Sequence, residues 1–85
     1  QEESDIVLHD VQDKKAEIMK KHIDSLKEPY KSVIEMREIK RMSYKDISDT
    51  LGKNLSTIKS QIRNGRAILV KETENEFKQL DEMYL

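Results

Sequence analysis

Residues 28–69 read EPYKSVIEMREIKRMSYKDISDTLGKNLSTIKSQIRNGRAIL, and this stretch decides the fold. It contains a strong helix-start signal, because Ser43 stands three residues before Asp46. In this capping-box spacing the hydroxyl and the carboxylate each accept a hydrogen bond from a backbone N–H group that the first turn leaves unpaired. We therefore predict a short helix over residues 44–51. Gly52 ends it, since glycine readily adopts the left-handed conformation that terminates helices.

A second helix is predicted directly after this turn, with Asn54 as its cap and Leu55 as its first residue. Its inward positions recur at helical spacing, and we expect them to be Leu55, Ile58, Ile62 and Leu69. Gly65 falls on the same face. Glycine inside a helix costs about 1 kcal/mol relative to alanine, but a small residue there would let the preceding helix approach closely. We expect the helix to continue through Asn64-Gly65, and a kink at this pair is the alternative.

The outward face of this second helix is polar and cationic. It carries Ser56, Thr57, Lys59, Ser60, Arg63 and Asn64. Lysine and arginine donate hydrogen bonds to phosphates or to guanine O6 and N7, and the amino end of a helix also favours an anion. Alone, such a stripe is also compatible with an ordinary solvated face. Together with the short capped helix and the short connection containing glycine, it predicts a helix-turn-helix whose second helix lies in the major groove of DNA.

Two further helices are predicted before this motif. The first runs from about Lys14 to Leu26, with Ile18, Met19, His22, Ile23 and Leu26 on one face. The next opens at Glu28-Pro29, because proline is tolerated in the first turn, and it continues to about Ile39. Beyond the motif one stripe continues through Leu69, Thr73, Phe77, Leu80 and Tyr84. The predicted fold is all-α, a small three- to four-helix bundle with a helix-turn-helix and a long last helix.

The charge of the chain is unevenly distributed. The net charge is −1 over 85 residues. Residues 1–13 carry five acids and no bases, residues 14–71 carry fifteen bases and seven acids, and residues 72–85 carry one base and five acids. Phosphate attraction acts over about a Debye length, roughly 8 Å in physiological salt, so the basic middle part governs local attraction. A basic body between acidic ends is compatible with DNA binding despite the total charge.

These boundaries divide the chain into three parts. We expect an acidic, partly disordered linker over residues 1–13, a helix-turn-helix domain over residues 14–71 and an acidic helical tail over residues 72–85. Because the first residue is Gln, we expect a fragment of a longer protein. The sequence has no cysteine and no apolar run near the roughly 18 residues of a membrane span, so a cytoplasmic location is expected.

Three blocks in the middle of the chain resemble region 4 of bacterial sigma factors, and most closely the extracytoplasmic-function branch. The family pattern of leucine-proline-glutamate-proline-tyrosine-arginine and valine-isoleucine-x-leucine-arginine is similar to LKEPYKSVIEMREI. The leucine-serine-tyrosine-x-glutamate-isoleucine-alanine block is similar to MSYKDIS, and the threonine-valine-lysine-serine-arginine block to TIKSQIRNGRAIL. The resemblance covers roughly residues 16–71. It departs from the family at Gln61, where arginine is usual, at Asn64, where a base is common, and at Gly65, where alanine is usual.

The resemblance implies a role in transcription initiation for named residues. It implies that base edges of the −35 promoter element are contacted by Lys59, Ser60, Arg63 and Asn64. It implies that the DNA backbone is held by Arg37, Tyr44, Lys45, Ser56, Thr57 and Arg66. The implied partners are duplex promoter DNA and core RNA polymerase, with an anti-sigma factor as a further candidate.

Other functions are less well supported by the sequence. A response-regulator effector domain shares the threonine-valine-lysine helix but usually lacks the proline-tyrosine segment, and a pure protein-interaction module is compatible with the charge pattern. His9 and His22 are too far apart to indicate a metal site, and Glu35/Glu38 and Asp46/Asp49 are expected to be solvated or capping. No nucleophile with a matching base and no glycine-rich phosphate loop is present, so we expect no enzyme activity, cofactor or small-molecule substrate.

Overall fold

The computed structural model describes the backbone of residues 2–84 and the side chains of residues 12–83. The helices are α1 (Glu2–Asp24), α2 (Tyr30–Ile34), α3 (Tyr44–Leu51) and α4 (Leu55–Tyr84), and a π-helical stretch (Glu35–Ile39) continues α2. No strand occurs among residues 2–84. The predicted all-α fold with a helix-turn-helix and a long last helix is confirmed.

The local signals around the turn act as predicted. Ser43 Oγ accepts a hydrogen bond from the Asp46 backbone N–H at 3.0 Å, and α3 begins at the next residue. Gly52 ends α3 with φ at 65°, in the left-handed region. Asn54 Oδ1 accepts a hydrogen bond from the Thr57 N–H at 2.8 Å, which caps α4. The two helices of the motif are therefore set by residues within the motif itself.

The apolar faces of the helices meet in one core. Its buried members are Ile23, Leu26, Val33, Ile34, Ile47, Ile58, Ile62 and Leu69. The prediction that Leu55 is inward is wrong, since its side chain is 40% exposed. Leu55 lies in the first turn of α4, one turn before the core begins at Ile58. Tyr84, the last predicted member of the stripe, lies outside the described side chains.

Helix α4 is continuous through Gly65, as expected, because this glycine faces α2. A Cβ atom at residue 65 would lie 2.8 Å from Ile34 Cγ1 and 3.5 Å from Tyr30 Cβ. The first distance is shorter than any ordinary carbon–carbon contact. The absence of a side chain at Gly65 therefore sets how closely α2 and α4 pack.

Helix α1 is longer than the sequence predicted. It begins at Glu2, not at Lys14, and ends at Asp24. The division into linker, domain and tail at residues 13 and 71 stays a prediction.

The C-terminal half of α4 packs along α1. Thr73 is buried, with its hydroxyl donating to the Leu69 carbonyl at 2.7 Å, and Leu80 is also buried. Polar contacts join the same two helices: Lys15 Nζ lies 2.9 Å from Asp81 Oδ1, and His22 Nε2 lies 2.7 Å from Glu76 Oε1. The acidic tail is thus held against α1 by both apolar and charged contacts.

Candidate nucleic-acid interface

The four predicted base-contacting residues lie in the first three turns of α4. Lys59, Arg63 and Asn64 are exposed, and Ser60 is half-buried. Lys59 and Arg63 are four residues apart, so their side chains stand about one turn and 6 Å apart on one stripe. Among the side chains of residues 12–83, neither has a carboxylate partner. Both charges are therefore available to an external anion or base edge.

Three predicted backbone-contacting residues mark the amino ends of the two motif helices. Ser56 is exposed and Thr57 half-buried in the first turn of α4, and Lys45 is exposed in the first turn of α3. The backbone N–H groups of a first turn and the helix dipole favour a phosphate. The Thr57 N–H is already bonded to Asn54.

The other three predicted backbone contacts, Arg37, Tyr44 and Arg66, are brought together in one cluster. The Arg37 guanidinium carbon lies 4.4 Å from the centre of the Tyr44 ring, and Arg37 Nη1 donates to the Met42 carbonyl at 2.8 Å. Arg66 Nε donates to Glu38 Oε1 at 2.6 Å. The cluster therefore joins the π-helical stretch, the start of α3 and the middle of α4.

The ion pair raises the pKa of the Arg66 guanidinium. The main cause is the hydrogen bond to Glu38, to which the charge of Glu38 and the nearby Tyr44 phenol add, whereas desolvation of Arg66 lowers its pKa. Arg66 is thus a permanent cation that already holds an anionic partner. Its side chain is 47% exposed and that of Glu38 is 38% exposed, so the pair remains in contact with water.

Glu38 is the residue of this cluster that the sequence did not reveal. It was expected to be a solvated acid at three-residue spacing from Glu35. It lies 28 positions from Arg66, so no local pattern links the two. Only the packing of the π-helical stretch against α4 brings them together.

A groove beside the cluster was also not predicted. It has a volume of about 290 Å³ and is lined by Met19, Ile23, Glu38, Arg66, Leu69 and Val70. Val70, on its rim, is 61% exposed. Its signal in the sequence is weak, because Val70 lies outside the predicted inward positions of the last helix.

The family of the chain follows from comparison with known proteins. A family model described as "Sigma-70, region 4" matches residues 16–69. The chain belongs to the sigma-70 region 4 family. The match includes α2, α3 and parts of α1 and α4, with the helix-turn-helix over residues 44–69 inside it, and it favours region 4 over a response-regulator effector domain. The extracytoplasmic-function branch stays a prediction.

Searches of the curated proteins and of the solved structures each gave no significant match. The described part of this region 4 chain shows no group of three histidine, cysteine or acidic residues placed to hold a metal ion. None of its helices is both long and apolar enough to cross a bilayer. The features that distinguish its surface are thus the cationic stripe, the arginine cluster and the apolar groove.

Proposed function

We propose that this chain recognises the −35 promoter element as the region 4 domain of a sigma factor that directs RNA polymerase to initiate transcription. The observation that carries the proposal is the exposed Lys59–Arg63 stripe on a capped helix that follows a three-residue turn. In a helix-turn-helix this second helix enters the major groove, while the first crosses the DNA backbone.

Base contacts and phosphate contacts are assigned to different parts of the surface. Lys59 and Arg63 extend from the outer face of α4, where a long cationic side chain reaches guanine O6 and N7. The cluster at Arg37, Tyr44 and Arg66 lies on the flank of the helix, where phosphate contacts fix the register of the protein on the duplex. Base preference is therefore assigned to the stripe and positioning to the cluster.

Selection of duplexes from a library with a randomised segment, followed by salt titration, tests this proposal. We expect one short enriched motif and a fall of affinity with salt at a slope of about −0.9 per phosphate contact. With roughly three to five contacts, binding of the isolated chain should be micromolar or weaker. Association that does not depend on salt, or a library without an enriched motif, would contradict the proposal.

Docking on core RNA polymerase is the second part of the proposed function, and the groove at Met19, Leu69 and Val70 is the surface that supports it. An apolar rim residue that is 61% exposed gains free energy when a partner covers it. Val70→Gln should weaken association with core polymerase while leaving duplex binding within about twofold, because Val70 lies outside the cationic stripe and the uncharged amide adds no new carboxylate one turn from Arg66. Unchanged association with polymerase would place the docking surface elsewhere. An anti-sigma factor remains a further candidate partner.

A further inference from the structure

The contact between Arg66 and Glu38 joins a predicted phosphate-binding cation to a carboxylate of the same chain. The Nε–Oε1 distance is 2.6 Å. A carboxylate and a phosphate offer a guanidinium the same kind of charge-assisted, often bidentate, hydrogen bonds. In the free protein, Glu38 thus occupies a part of the arginine that a DNA phosphate would use.

The pair is placed so that exchange with an external anion is feasible. Both side chains are more than one third exposed, at 47% for Arg66 and 38% for Glu38. An exposed pair of this kind favours its closed form by at most about fivefold. Glu38 also leaves a negative charge beside any phosphate that reaches the cluster, and Coulomb repulsion opposes its approach.

We propose that Glu38 is a built-in competitor of the DNA backbone, which holds Arg66 in the free protein and lowers the affinity for every duplex without changing base preference. This inference rests on the proposed function. The cluster then has two states. In one, Arg66 is paired with Glu38. In the other, Arg66 binds a phosphate while Arg37 remains on the Tyr44 ring and the Met42 carbonyl.

The substitution Glu38→Gln removes the carboxylate and tests whether Glu38 competes with DNA phosphates for Arg66 or only stabilises the fold. Glu38→Gln should bind the preferred duplex and a scrambled duplex about two- to fivefold more tightly at low salt, by the same factor for both. The salt slope should become steeper by about one, because the cluster gains one net positive charge toward the phosphates. If the Arg66–Glu38 pair only stabilised the fold, its removal would lower thermal stability and would not tighten DNA binding.

The matched control is Glu35→Gln, which removes the same charge from the same π-helical stretch without freeing an arginine. Its effect on affinity should be below about twofold. In an Arg66→Ala background, Glu38→Gln should have a clearly smaller effect, because only the Coulomb repulsion between Glu38 and the phosphates is then removed. Circular-dichroism melts of each variant report folding.

The experiment is fluorescence anisotropy of the full chain with both duplexes at several salt concentrations. Tighter binding by Glu38→Gln that is mostly lost without Arg66 supports the inference, and an equal gain without Arg66 overturns it. Unchanged or weaker binding by Glu38→Gln, or an equal gain with Glu35→Gln, overturns it while leaving the proposed function intact. A wild-type chain without salt-dependent duplex binding would remove the proposed function and this inference with it.

Discussion

Gly65 is the single position that decides how closely α4 approaches α2. A Cβ atom there would lie 2.8 Å from Ile34 Cγ1, and Ile34 is fully buried, so it cannot turn out into solvent. The sequence predicted the inward orientation of Gly65 from its place on the apolar stripe. The distance to Ile34 depends on tertiary packing and could not be read from the stripe.

We predict that Gly65→Ala destabilises the domain by up to about 2 kcal/mol. Alanine raises helix propensity by about 1 kcal/mol, but overpacking of a closed core costs about 1–3 kcal/mol, and the clash should win. Urea denaturation followed by circular dichroism measures the change. In an Ile34→Ala background the same substitution should stabilise the chain, because the clashing atom is gone. A gain in stability in the wild-type background would show that the two helices can separate at no cost.

The helices of the motif were predictable from sequence because their boundaries depend on neighbours within four residues. The Ser43 and Asn54 caps and the Gly52 terminator all act where the sequence placed them. The exposure of Leu55 was not predicted, because it depends on what packs nearby in three dimensions. The Arg66–Glu38 pair was missed for the same reason.

The packing of the C-terminal half of α4 on α1 gives a second prediction. Leu80 is only 8% exposed, whereas Met83, one turn further, is 72% exposed. Leu80→Ala should therefore destabilise the chain by about 2–3 kcal/mol, since a buried leucine loses its contacts and leaves a cavity. Met83→Ala should change stability by less than about 0.5 kcal/mol. Denaturant midpoints of the two variants compare them directly, and equal midpoints would mean that the tail does not pack on α1.

Helix α4 (Leu55–Tyr84) has 30 residues and carries two regions of opposite charge. The cationic stripe lies in its amino-terminal half, and the acidic tail lies at its carboxyl end. Part of the acidic charge is neutralised within the fold, because Asp81 Oδ1 lies 2.9 Å from Lys15 Nζ. A phosphate backbone is attracted at the amino-terminal half of α4 and repelled along the other half. The distribution therefore favours a duplex that crosses α4 near Lys59 rather than one that follows its length.

Arg63 belongs to the stripe that is proposed to contact bases, and Arg66 belongs to the cluster that is proposed to contact the DNA backbone. Substitutions of the two arginines should therefore have different effects on DNA binding. Arg63 and Arg66 are three residues apart, about 60° around the helix. Arg63 is free of carboxylate partners among the described side chains, and Arg66 is paired with Glu38. Neither is in the core, so alanine at either position should keep the wild-type helicity.

The decisive measurement is the affinity of Arg63→Ala and Arg66→Ala for the preferred duplex and its single-base-pair variants over a range of salt concentrations. Arg63→Ala should lose about 1–3 kcal/mol on the preferred duplex and relax the preference at one or two base pairs. Arg66→Ala should weaken all duplexes about equally and make the salt slope shallower by about one. The reverse pattern, with Arg66 setting base preference and Arg63 only the salt slope, would contradict the orientation of α4 on DNA. No effect from either would leave protein interaction as the better account of this domain.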